Sequence, residues 1–203
     1  METKLTETLL SIDTRLESEL EAIVHQLDPG LRYIHDLHSD ASICRTLLVK
    51  YQENECTLKV RRLSRNMWDD TYFYYEIKAL KRTAERNLTG VTRLLNEFRN
   101  DRFHALIKTF IPGTPCNELN VDELLTSAEF VQKLDALYLK LHLAGIAKIH
   151  FLPRKVIISD DGDLTLVDLS TCIVNTETGI QLFVQAMRED SQFITRLERH
   201  TTH

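Results

Sequence analysis

The stretch Leu141-His-Leu-Ala-Gly-Ile-Ala-Lys-Ile-His-Phe-Leu-Pro-Arg-Lys-Val-Ile-Ile158 runs straight into Ser159-Asp-Asp-Gly-Asp163 and Leu164-Thr-Leu-Val-Asp-Leu-Ser170. Leu141 closes an apolar stripe of Phe130, Leu134, Leu137 and Leu141 at helical spacing, and Gly145 stands where a helix C-cap belongs, so the spacing predicts a helix over 127–144. Two β-rich runs, 156–158 and 164–167, flank a polar segment whose Asp161-Gly162 pair supplies the positive dihedral angles of a tight turn. The reading is helix, loop and hairpin, with Lys148 and His150 in the loop, Lys155 at the start of the hairpin and Asp168 just past its end.

Working back toward the N-terminus, Pro112-Gly-Thr-Pro115 reads as a hinge-like breaker, and residues 91–97 and 105–111 read as extended. A helix is expected from about 69 to 87. Thr46-Leu-Leu-Val-Lys-Tyr51 and Cys56-Thr-Leu-Lys-Val60 form a hairpin signal across the polar Gln52-Glu-Asn-Glu55. Leu5, Leu9, Ile12, Leu16, Leu20, Ile23 and Leu27 make the stripe of an N-terminal helix that Pro29-Gly30 ends. That helix either packs on its own domain or pairs two copies as a coiled coil; the small number of heptads favours the first. Beyond Ser170, residues 177–200 read as a closing helix.

Composition narrows the classes of function. The 203 residues are 43% apolar, enough for one domain or two small lobes. A net charge of -5 with both signs interspersed leaves no dense basic face for nucleic acid or an anionic membrane. Cys44, Cys56, Cys116 and Cys172 contain no CxxC pair, which argues against a zinc site or a disulfide scaffold and for reduced thiols in a cytoplasmic protein. Residues 1–20 carry charges throughout and no run of about 18 apolar residues occurs, so neither a signal peptide nor a membrane span is expected.

Taken in order, the chain has a lysine in a strand hairpin (Cys56-Thr-Leu-Lys-Val60), a glutamate in the next helix (Phe73-Tyr-Tyr-Glu-Ile77), the breaker, Leu141-His-Leu-Ala-Gly-Ile146, and Val167-Asp-Leu169. This order resembles the protein kinases over roughly residues 31–198. The resemblance implies an α+β, truncated two-lobed kinase-like fold with an extra N-terminal helix: residues 1–28 as the extension, 29–112 as an N-lobe of sheet and one helix, and 113–203 as a reduced helical C-lobe with a hairpin. It implies that Lys59 binds ATP phosphates and pairs with Glu76, that backbone groups at Ile111 meet the adenine, and that Asp168 binds Mg²⁺. Taken alone, Lys59 and Glu76 would be an ordinary surface ion pair.

Several family positions are altered. In the ungapped register Lys148 and His150 fall where the catalytic loop has its His and Asp, Lys155 falls on the asparagine of the second metal, and Leu169-Ser170 replace Phe-Gly. No register restores the aspartate. Asp36-Leu-His-Ser-Asp-Ala-Ser42 occupies the place of the glycine-rich loop without a glycine, leaving Ser39 or Ser42 to contact phosphate. Only 35 residues follow Asp168, so the reduced architecture resembles the RIO and lipopolysaccharide-core kinase branch. Three functions follow from the resemblance. The first is a bacterial-type, nucleotide-binding pseudokinase with weak or absent transfer that acts through a protein partner. The second is an atypical kinase for a protein or sugar hydroxyl in which His150 serves as base and Lys155 replaces a metal. The third is a scaffold that binds no nucleotide.

Overall fold

A computed structural model of the chain describes residues 18–38, 44–63 and 68–201. These form a mixed α and β structure in two compact units. One holds the described residues up to 63 with Leu95–Phe110, the other residues 68–94 and those from Ile111 onward. No helix among the described residues is long and apolar enough to cross a membrane, and the four cysteines are free thiols.

The first unit is an antiparallel sheet under a helix, α1 (residues 18–27). Its strands are β1 (Arg32–His38), β2 (Cys44–Tyr51), β3 (Asn54–Arg62), β4 (Leu94–Arg99) and β5 (Phe103–Thr109), in the order β1-β2-β3-β5-β4. The expected hairpin is β2–β3, closed by Gln52 and Glu53, both at positive φ (49° and 67°), the backbone twist a two-residue hairpin turn requires. Register sorts the side chains by parity. Leu47, Leu58 and Ile107 lie opposite one another, as do Val49 and Cys56, and Val60 and Ala105. All seven belong to one core together with Leu20 and Val24 of α1. Residues 18–27 therefore dock on their own sheet, while Leu5, Leu9, Ile12 and Leu16 of the same stripe lie outside the described residues.

The opposite parity of β3 and β5 carries Lys59, Arg61, His104 and Lys108, all under 9% exposed. His104 Nε2 lies 3.0 Å from Glu97 Oε1, yet burial outweighs that carboxylate and holds the imidazole below its ordinary value near 6.5. A depressed histidine contributes stability that is present above about pH 6.5 and is lost as the pH falls through the folded value. The urea midpoint should therefore drop between neutral pH and about pH 5, and His104→Gln should flatten that drop.

The second unit contains α2 (Trp68–Glu85), β6 (Thr114–Pro115), α3 (Val121–Thr126), α4 (Ala128–Leu143), β7 (Ile146–Ala147), β8 (Val156–Ile158), β9 (Leu164–Leu166), β10 (Ile173–Val174) and α5 (Ile180–Thr201). The 127–144 expectation corresponds to α4, which Ser127 caps by accepting from Phe130 N, and the hairpin is β8–β9. Phe130, Leu134, Leu137 and Leu141 of α4 share a core with Ala79 and Leu80 of α2, Val156, Leu166, and Ile194 and Leu197 of α5. Ala79, Leu80 and Val91 contribute to the same core.

Two local features were not anticipated. The Pro112–Pro115 stretch is seated against the hairpin, with Thr114 opposite Ile158 and Pro115 opposite Ile157. Gly113 adopts φ +138°, and a Cβ there would strike the Ile158 carbonyl oxygen. Helix α3 starts at Asn120, whose side chain accepts from Glu123 N. At the end of α4, Gly145 has φ +82° and a Cβ would lie 2.6 Å from Asn175 Oδ1. Gly145→Ala is expected to lower unfolding stability by about 2 kcal/mol in chemical denaturation, from left-handed strain together with that contact.

Candidate functional site

After Gly145 the chain makes the short strand β7 and then a strained loop. Lys148 (φ 61°) and His150 (φ 38°) are both left-handed and exposed, and the Ile149 between them is buried. Left-handed backbone at two non-glycine residues costs on the order of 1–2 kcal/mol each, so something must hold it. That group is Asp190 of α5, 4% exposed. One of its oxygens accepts from Lys148 N at 2.8 Å and the other from Ile149 N at 3.0 Å. His142 Nε2 lies 2.9 Å from Asp190 Oδ2, which calls for a proton on that nitrogen. His142 at the end of α4 is thus structural, and it lies edge-on to the Tyr138 ring. The next residue after the loop, Phe151, stacks on Phe193 of α5 and meets Phe130 of α4 edge-on.

The chain then forms a single 3-10 turn, Pro153–Lys155, that delivers Lys155 to the start of β8. Its side chain is 7% exposed. The ammonium donates to Ser170 Oγ at 3.2 Å and lies 3.5 Å from Asp168 Oδ1. Asp168 Oδ1 also accepts from Ser170 N at 2.7 Å, a local turn that fixes the carboxylate beyond β9. Val167 N donates to the Lys155 carbonyl at 2.9 Å, which ties the two segments together.

Next to this pair is Cys172, wholly buried. Burial is the main cause that pushes its thiol up; Lys155 lowers it, and Asp190, Asp168 and Glu76 raise it. Glu76 is fully buried on α2, in line with Phe73, Leu80 and Thr83. A carboxylate there must be answered by donors or a cation.

Of the candidates from sequence, Lys155 and Asp168 come together in the second unit, which also contains Glu76. His150 is in the adjoining loop and Ile111 is a half-buried residue ahead of β6. Lys59 is on β3 of the first unit, 8% exposed. Ser39 and Ser42 lie outside the described residues. Asp190 was not singled out, although it falls at the core spacing of Phe183, Ala186, Asp190, Ile194 and Leu197, where a carboxylate is conspicuous. Nor were Arg61, two residues on from Lys59 in β3, and Lys108 of β5, which lies opposite Thr57.

The resemblance implies Mg²⁺ at Asp168, and the residues present fit it poorly. Mg²⁺ requires several oxygen donors in near-octahedral array. Asp168 supplies a carboxylate, but the neighbouring position offers the ammonium of Lys155. Among the described residues no group of three His, Cys, Asp or Glu side chains is placed to hold a metal ion. No protein-family model and no curated protein matches the chain.

Proposed function

We propose that this chain is a protein-kinase-like pseudoenzyme of the reduced RIO and lipopolysaccharide-core type, which binds a nucleotide and acts by binding a protein partner. The observation that carries this reading is the buried Lys155 ammonium 3.5 Å from Asp168 Oδ1. Kinase phosphoryl transfer uses a catalytic-loop carboxylate to take the hydroxyl proton and divalent cations to neutralise the phosphates. At those positions this chain has an imidazole and an ammonium. Further support comes from the order of elements, which follows the resemblance: within the first unit Lys59 is on the third strand, and within the second Glu76 is on the helix that follows in the chain and Asp168 just past the hairpin.

A second reading, an atypical phosphotransferase toward a protein or sugar hydroxyl, draws on His150. Its side chain is exposed on a loop whose backbone Asp190 fastens, as a general base would need. The test is ATP binding by thermal shift, followed on the same sample by phosphate release and autophosphorylation, for the native chain, Asp168→Ala and His150→Ala. Binding without turnover is the expected result. Turnover that His150→Ala abolishes would establish the second reading, and no nucleotide binding under any condition would leave a scaffold.

A further inference from the structure

We infer that the nucleotide site of this chain works without a divalent cation, with the Lys155 ammonium in the place where kinase chemistry puts metal; this rests on the nucleotide-binding reading above. In the kinase arrangement the metals are held by the aspartate at the position of Asp168 and by an amide at the position of Lys155. Here the second donor has become a cation. Lys155 Nζ faces Asp168 Oδ1 at 3.5 Å, is held by Ser170 Oγ at 3.2 Å, and belongs to a side chain 7% exposed. The same Asp168 oxygen is engaged by Ser170 N at 2.7 Å.

Two consequences follow from charge alone. A divalent ion approaching that oxygen meets a like charge that packing keeps in position, so its binding is opposed at short range. A carboxylate standing by itself would repel polyphosphate and call for a bridging metal; the ammonium cancels that repulsion from within the chain. The pair therefore does internally the neutralising that Mg²⁺ does elsewhere. Val167 N donates to the Lys155 carbonyl, which fixes the backbone from which the ammonium extends.

The experiment is a titration of the full chain with ATP, once in excess chelator and once in excess Mg²⁺, paired with direct binding of Mn²⁺ alone read by loss of the free-ion paramagnetic resonance signal. The native protein should bind ATP equally in both conditions and retain no Mn²⁺. Lys155→Asn should acquire a Mn²⁺ site and a preference for Mg²⁺-ATP of about tenfold or more. If Mg²⁺ tightens ATP on the native chain, or the native chain retains Mn²⁺, the inference falls while the nucleotide-binding reading stands. If ATP binds in neither condition, both fall. Cation-free binding by the native chain with no Mg²⁺ preference in a folded Lys155→Asn would overturn the assignment to Lys155. Should that variant not fold, the native chain's two titrations decide the matter.

Discussion

Asp190→Ala is expected to cost about 3–5 kcal/mol of unfolding free energy, because it removes the acceptor of a buried charged network and leaves the partners unanswered. Three groups converge on that carboxylate: Lys148 N, Ile149 N and His142 Nε2. The residue is 4% exposed, so water does not take over from the missing oxygens. The loss also releases the strained backbone at Lys148 and His150, which the bonds to Lys148 N and Ile149 N fasten. Asp190→Asn keeps one acceptor oxygen and should cost less than the alanine change. Urea unfolding followed by the single Trp68 and by far-ultraviolet dichroism measures both. A loss below about 1 kcal/mol for the alanine variant would mean that the loop is held by its packing, Ile149 and Phe151 above all, rather than by the carboxylate.

How far the sequence could be read is explained by the range of the forces involved. The β2–β3 hairpin, α4 and the β8–β9 hairpin were legible because each is specified by near neighbours: alternation of Cys56, Leu58 and Val60, the stripe of Phe130, Leu134, Leu137 and Leu141, and Asp161-Gly162 with Ser159 N donating to the Asp163 carbonyl at 3.0 Å. The seating of Thr114 against Ile158 was not, because Pro112 and Pro115 look like breakers locally and only the partner strand, forty-odd residues on, turns them into a sheet edge. Helix α3 is too short for periodicity to register, and its only local signal was Asn120 three residues ahead of Glu123. At the site, a resemblance picked out Lys155 and Asp168 because both stand at positions with an expected chemistry. Asp190 has no such position in the stretch that was read, and it became visible only through the loop it fastens. The ion pair itself lay beyond the sequence: Lys155 could equally have been a solvated charge, and burial is what makes it consequential.

The Lys155 and Asp168 pair should behave asymmetrically in a double-mutant cycle. Lys155 is 7% exposed and Asp168 25%, so removing the carboxylate strands a cation that water scarcely reaches, whereas removing the lysine leaves an anion that water partly solvates. Asp168→Ala is therefore expected to destabilise by about 3 kcal/mol, and Lys155→Met, which preserves most of the side-chain volume, by about 1–2 kcal/mol. The Ser170 N–H and hydroxyl lose a partner in one variant each, which keeps the two single effects unequal. The double variant should cost less than the sum by about 1–2 kcal/mol, since neither stranded charge is then present. Chemical denaturation of the four proteins measures the cycle. Strict additivity would show that the 3.5 Å separation is too loose to couple them, and with it would go the idea that Lys155 occupies the place of a metal.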